Sequence, residues 1–163
     1  MRIRLQPGNR EEMRKVAAVV AGGGLVVFPT DTLYGIGCDP FNKMALERLQ
    51  RLKGRGEKPF PVLVSGTDDA RRLVRVDKAS GLFMEAFWPG ALTIVLKSLG
   101  NVPSILSHGT GKVGVRMPRN ALALEIIRSS GGALVGTSAN ISGMTPARPI
   151  GELDPRIEGG VDI

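Results

Sequence analysis

The chain has 163 residues, 42% of them hydrophobic, which is enough to build one core without covalent staples. One cysteine, Cys38, excludes an internal disulfide framework and suits a reducing cytoplasm, and with a single histidine there is no His/Cys cluster for zinc. The 22 lysines and arginines outnumber the 15 acids to give a net charge of +7, a field that draws nucleic acid or phosphorylated small molecules, but aromatics, at 4%, do not interleave with the basic residues as a base-stacking platform requires.

In chain order, Asn9 with Glu12 three residues on forms a capping-box pattern for a helix over 10–21, which Gly22-Gly23-Gly24 ends. Leu25–Phe28 then forms a buried strand stopped by Pro29. A second helix is expected over 43–52, capped by Asn42, with Met44, Leu46 and Leu49 among its apolar positions. Pro61–Val64 is a strand, 68–74 a short helix, and Asp77 caps a helix that runs to Phe87, where Trp88-Pro89-Gly90 breaks it. Strands follow at 92–96 and 113–116, then a helix over 121–128 capped by Asn120 and a last clear strand at 133–136. The two consecutive strands near 92 and 113 interrupt strict helix–strand alternation, so a mixed sheet is expected rather than a parallel one. Beyond Gly143 the chain is rich in proline and glycine (Pro146, Pro149, Pro155) and ends on Val161-Asp162-Ile163, which has the character of a strand start. A secretory leader is not expected, nor a membrane span, since no apolar run approaches the roughly 20 residues a spanning helix needs.

Several segments carry chemistry. Gly22-Gly23-Gly24 precedes a strand, the reverse of a dinucleotide turn, and Gly109–Lys112 lacks the glycine spacing and the hydroxyl of a phosphate loop. Lys53-Gly54-Arg55-Gly56-Glu57-Lys58 sets three cations within six residues between a helix and a strand, and its glycines let Lys53 and Arg55 point the same way, towards phosphate or simply into solvent. Thr137–Gly143 follows a strand end, where open α/β sheets bind ligands, and its hydroxyls and amide serve a phosphate or ribose equally well as they close a polar turn. Thr30, Thr32 and Tyr34 alternate past the strand ending at Phe28 and could line one wall, with Asp31 either a ligand or a turn carboxylate. Arg116 adds a cation that needs an anionic partner if it lies inside the sheet. No Ser-His-Asp or Cys-His set is visible.

Together, PTDTLYGIG (29–37), KGRGEKPF (53–60), FWPGALTIVL (87–96), VGVRMP (113–118) and LVGTSANISG (134–143) resemble the YrdC-like family of threonylcarbamoyl-AMP synthases, and the match runs from about residue 10 to the end. The resemblance implies a single α/β domain over 1–163, a twisted mixed sheet flanked by helices around a concave basic cavity, without the family's last strand and closing segment. It implies a nucleotidyltransferase that turns L-threonine, bicarbonate and ATP, with Mg²⁺, into threonylcarbamoyl-AMP and pyrophosphate in the cytoplasm, for modification of tRNA. Partners so implied are tRNA or the downstream threonylcarbamoyl transferase. Lys53 and Arg55 would then hold the ATP phosphates with Ser138, Asn140 and Arg116, and Thr30, Thr32 and Tyr34 would lie near threonine. Two departures, Gly56 and Ala91 where the family usually has proline, would loosen loops without removing chemistry. The alternatives are a non-catalytic RNA-binding module and a carbamoyl-adenylate enzyme of hydrogenase maturation.

Overall fold

Local capping chemistry sets most helix boundaries. A computed structural model describes residues 7–146 and 150–163 of the chain, so Pro149 of the proline-rich stretch lies outside the described residues. Helix α1 (Arg10–Ala21) begins where the Asn9 side chain accepts from the Glu12 amide, and α2 (Lys43–Lys53) where Asn42 accepts from the Ala45 amide. Helix α4 (Lys78–Phe87) carries a full reciprocal capping box between Asp77 and Ser80, and α6 (Ala121–Ser129) is capped by Asn120. These four match the sequence expectation to within a residue. The short helix after Ser65 is briefer than expected, α3 (Thr67–Arg71), and the short helices α5 (Ser104–Ser107) and α7 (Pro155–Gly160) were not foreseen.

The strands are β1 (Val26–Phe28), β2 (Gly35–Gly37), β3 (Val62–Val64), β4 (Ile94–Lys97), β5 (Lys112–Arg116), β6 (Ala133–Val135) and β7 (Thr137–Ser138). They form two ladders, β1-β2-β7 and β4-β5-β3-β6. Pairing is mixed, as expected: β3 and β5 run parallel and every other paired couple is antiparallel. The two ladders join where the Val135 amide donates to the Cys38 carbonyl at 2.9 Å. The terminal Val161–Ile163 segment lies along β1, with Asp162 N–H donating to Leu25 O at 2.9 Å and Val27 N–H to Ile163 O at 2.8 Å, the slanted pattern of a parallel pair.

Period-2 alternation in the central strands builds a core on each side. Val62, Val64, Val113, Val115 and Val135 face a large cluster containing Leu46, Leu49, Phe60, Leu73, Met84 and Leu106. Leu63 and Leu134 face the other way, onto Met13, Val16 and Val20 of α1 and Ala123, Ile126 and Ile127 of α6. Each fully buried aliphatic side chain stabilises the fold by about 1.5–3 kcal/mol. Met44, expected on the apolar side of α2, is 78% exposed, because the buried stripe of that helix passes through Ala45, Leu46, Leu49 and Lys53 instead.

Candidate active site

The end of α2 fixes the first wall. Gly54 takes a left-handed conformation (φ 55°) and closes the helix, its amide reaching the Arg51 and Gln50 carbonyls. This turn leaves Lys53 on the inward face of the last helical turn and releases Arg55 outwards. Lys53 is 1% exposed, and its ammonium donates to the backbone carbonyls of Ser138 at 2.5 Å and Asn140 at 2.7 Å. Its charge is thus spent on holding the 138–140 backbone, and burial, aided by the neighbouring Arg55 charge, pulls its pKa down to about 8. Arg55 folds over its own loop, donating to Pro59 O at 2.6 Å and Lys58 O at 3.2 Å, with its guanidinium carbon 5.0 Å from the centre of the Phe60 ring. One of its nitrogens also approaches Thr137 Oγ1 at 3.4 Å, and desolvation lowers its pKa from the ordinary arginine value.

The second wall is not the simple turn expected at 137–143. Thr137 and Ser138 form β7, in register with Ile36 and Gly35 of β2, and only then does the chain bend. Asn140 closes that bend: its Oδ1 accepts from the Ser138 hydroxyl at 2.6 Å and its Nδ2 donates to Ile141 O at 3.0 Å and Met144 O at 2.5 Å. At 8% exposure, Asn140 is engaged in shaping the turn rather than turned towards solvent.

The loop between β1 and β2 supplies the third wall. The Thr30 hydroxyl donates to Leu33 O at 2.6 Å and accepts from the amides of Thr32 and Leu33, a compact hydroxyl-centred turn that also brings the two threonine hydroxyls within 3.1 Å. Arg116, at the end of β5, closes the circuit. Its guanidinium pairs with Asp31 at 2.6 Å, approaches Thr32 Oγ1 at 3.5 Å and donates from Nε to Gly90 O at 2.9 Å. Both partners of the ion pair are largely covered, with side chains 14% and 16% exposed. Asp31 is thus the anionic partner that a semi-buried arginine requires, and the same guanidinium ties the β1–β2 loop to the Trp88–Gly90 turn.

These walls enclose a cleft of about 200 Å³ between the two sheets, lined by Thr30, Thr32, Tyr34, Arg116 and Ser138 together with Leu63, Gly136 and Thr137. Five of the eight expected site residues therefore converge. Arg55 touches the cleft through Thr137, while Lys53 and Asn140 stand behind it and fix its backbone. Leu63 and Gly136 carried no signal in the sequence, since a buried leucine and a strand-end glycine look alike whether or not they line a cavity. Gly136 is required where it is, because a Cβ there would enter the Leu63 side chain. Neither Cys38 nor His108 lines the cleft. Among the described residues no three His, Cys, Asp or Glu side chains gather to hold a metal ion. A larger, more open groove of about 610 Å³ beside α3 and α4 contains none of the expected residues. No helix among the described residues is long and apolar enough to cross a membrane.

The family model Sua5_yciO_yrdC, described as telomere recombination, matches residues 18–163. A threonylcarbamoyl-AMP synthase of Halorhodospira halophila is 37% identical over 150 residues, which is 90% of this chain and 78% of that protein. Among solved structures, Pyrococcus abyssi Sua5 complexed with L-threonine superposes with a TM-score of 0.90 at 29% identity, covering 99% of this chain but 47% of that one, so the chain spans about half the length of the Pyrococcus protein. Escherichia coli YciO superposes with a TM-score of 0.84 at 26% identity, covering 93% of this chain and 75% of that one. With one family model spanning nearly all of it and the fold of Sua5 and YciO around a threonine- and arginine-lined cleft, the chain belongs to the Sua5/YciO/YrdC family.

Proposed function

We propose that the chain is an L-threonylcarbamoyladenylate synthase, a nucleotidyltransferase acting on L-threonine, bicarbonate and ATP. The observation that carries this reading is the cleft in which Arg116, Thr30, Thr32, Tyr34 and Ser138 converge, in a chain 37% identical to a threonylcarbamoyl-AMP synthase over most of its length. Its volume, about 200 Å³, falls below the roughly 300–1,000 Å³ of pockets for drug-sized ligands. It suits an amino acid, with the nucleotide extending along the arginine-bearing edge. Thr32 and Tyr34 present hydroxyls to threonine from the turn that the Thr30 hydroxyl holds, and Arg116, which already carries the carboxylate of Asp31, offers the same fork to the carboxylate or phosphate of substrate.

In the reaction, the amine of threonine attacks CO₂ or bicarbonate to give a carbamate, bicarbonate losing water. A carbamate oxygen then attacks the α-phosphorus of ATP, and pyrophosphate leaves with the bond electrons. No enzyme nucleophile is needed: positioning and cations that neutralise developing charge supply most of the help in such transfers. Arg55 and Arg116 are the cations at the cleft, and Lys53 and Asn140 hold the β7 turn that carries Ser138. Mg²⁺ belongs to the substrate as MgATP, which the nucleotide phosphates ligate with few protein groups. The product is handed to a transferase that modifies tRNA, a cytoplasmic setting that fits the absence of disulfide pairing in a chain with one cysteine.

The test is pyrophosphate release with ATP, bicarbonate and L-threonine, each omitted in turn. Release that depends on all three is expected, and Arg55→Ala and Arg116→Ala are each expected to lower it more than tenfold, since a charge-assisted contact contributes roughly 1.5–3 kcal/mol. Release indifferent to threonine would overturn the assignment, as would RNA binding without any nucleotide turnover.

A further inference from the structure

Helix α4 carries a feature that neither the cleft nor the core uses. Its inner face needs only Ser80 and Met84, which are buried. Leu82 is 59% exposed, Phe83 55% and Phe87 53%, with the two phenylalanine rings stacked on each other at 6.2 Å between centroids. With Ala79 and Ala86, also exposed, they recur at the i, i+3, i+4, i+7, i+8 spacing of a helix stripe that normally packs against another helix. Large exposed side chains clustered in this way mark contact surfaces, whereas single ones need no explanation.

The charges beside the stripe say what fits it. Lys78 and Glu85 are seven residues apart, so two helical turns bring them to the same edge of the stripe. Neither forms an ion pair among the described residues, and at about 10 Å of axial separation they are too far apart to pair with each other. When two helices pack antiparallel, the same edge of each faces the other, whereas in a parallel pair opposite edges meet. Two copies of α4 packed antiparallel therefore set Lys78 of each against Glu85 of the other, with Ala79 and Leu82 of both at the crossing. A two-fold contact requires this kind of self-complementarity, in which residue i meets j and j meets i. Charges at such flanking positions set partner choice and orientation.

We propose that α4 is the contact surface of a reversible homodimer, formed by antiparallel packing of its Ala79–Leu82–Phe83–Ala86 stripe against a second copy of this chain. A surface built on one ten-residue helix is small beside the roughly 800 Å² per partner of a standard interface, so the dimer dissociates on dilution.

The experiment is sedimentation velocity over a range of protein concentrations, with far-UV circular dichroism and pyrophosphate release as controls for folding. Wild type is expected to shift from monomer towards dimer as concentration rises. Lys78→Glu and Glu85→Lys are each expected to weaken association at least tenfold, because each sets like charges face to face twice in the dimer. The double variant restores association, since the pair is merely exchanged. Leu82→Ser is expected to remove dimerisation while leaving circular dichroism unchanged. A wild type that stays monomeric at every concentration overturns the proposal. So does a double variant no better than the single ones, which would mean that the stripe meets a different partner or a different geometry.

Discussion

Replacing Lys53 by methionine keeps the length of the side chain but removes the ammonium that holds the β7 turn. The two carbonyls it serves, Ser138 O and Asn140 O, would lose their donor in a covered site, at about 1–3 kcal/mol each. Against this, wild type keeps a charge out of water: a pKa of about 8 against an ordinary 10.5 corresponds to about 3 kcal/mol of offset at neutral pH. The lost partners, about 2–6 kcal/mol together, set against that offset leave Lys53→Met between about 1 kcal/mol more stable and about 3 kcal/mol less stable than wild type at pH 7, a loss in melting temperature of no more than roughly 12 °C for a chain of this size. The pH dependence follows from the direction of the shift. Because the folded pKa is depressed, the unfolded chain binds more protons between about pH 8 and 10.5, so the stability of wild type rises through that window relative to a variant without the group. Urea unfolding of both proteins at pH 7 and at pH 10 measures the gap, and every other titrating group cancels in the difference. A gap that narrows with rising pH, or a methionine variant destabilised by well over about 3 kcal/mol at pH 7, would refute the reasoning.

Four further outcomes follow from the same structure. Burial, with a smaller contribution from Asp39, pushes the Cys38 thiol up to about 12, so Cys38 is expected to resist alkylation at pH 8 in the folded protein and to react readily in urea, as a thiol-counting assay will show. Its raised pKa also makes stability fall as pH climbs from about 9 towards 12, since the unfolded thiol ionises first. At Gly37 an added Cβ would lie inside the Val135 carbonyl oxygen where the two sheets meet, so Gly37→Ala is expected to lower stability by more than about 3 kcal/mol or to prevent soluble expression, read by thermal melting. Asp31→Asn keeps a hydrogen-bond acceptor for Arg116 and should cost less than tenfold in pyrophosphate release, whereas Arg116→Ala, which strands Asp31, should cost more than tenfold; equal effects in steady-state kinetics would contradict the ion-pair account.

The sequence by itself determined the long elements and the segments that build the site. Helices 10–21, 43–53, 78–87 and 121–129 were legible because each opens on an Asn or Asp that caps it, and capping is a matter of three or four neighbouring residues. Mixed pairing was legible because the sequence sets strand segments near 92 and 113 in succession; the short α5 lies between them, and they pair antiparallel. Strands β2 and β7 were not: three residues of Gly-Ile-Gly and two of Thr-Ser have no periodicity, and they are strands because β2 pairs with β1 on one side and with β7, about 100 residues further along the chain, on the other. Tertiary structure also decided which of two neighbouring cations is buried and which reaches the surface. Lys53 and Arg55 look equivalent in a row of letters, but one closes a helix facing the core and the other follows a left-handed glycine that turns it outwards. For α4 the sequence marked only the Asp77 cap and the Trp88-Pro89-Gly90 stop. That its second apolar face is left bare depends on what packs around it, and spacing alone cannot reveal that.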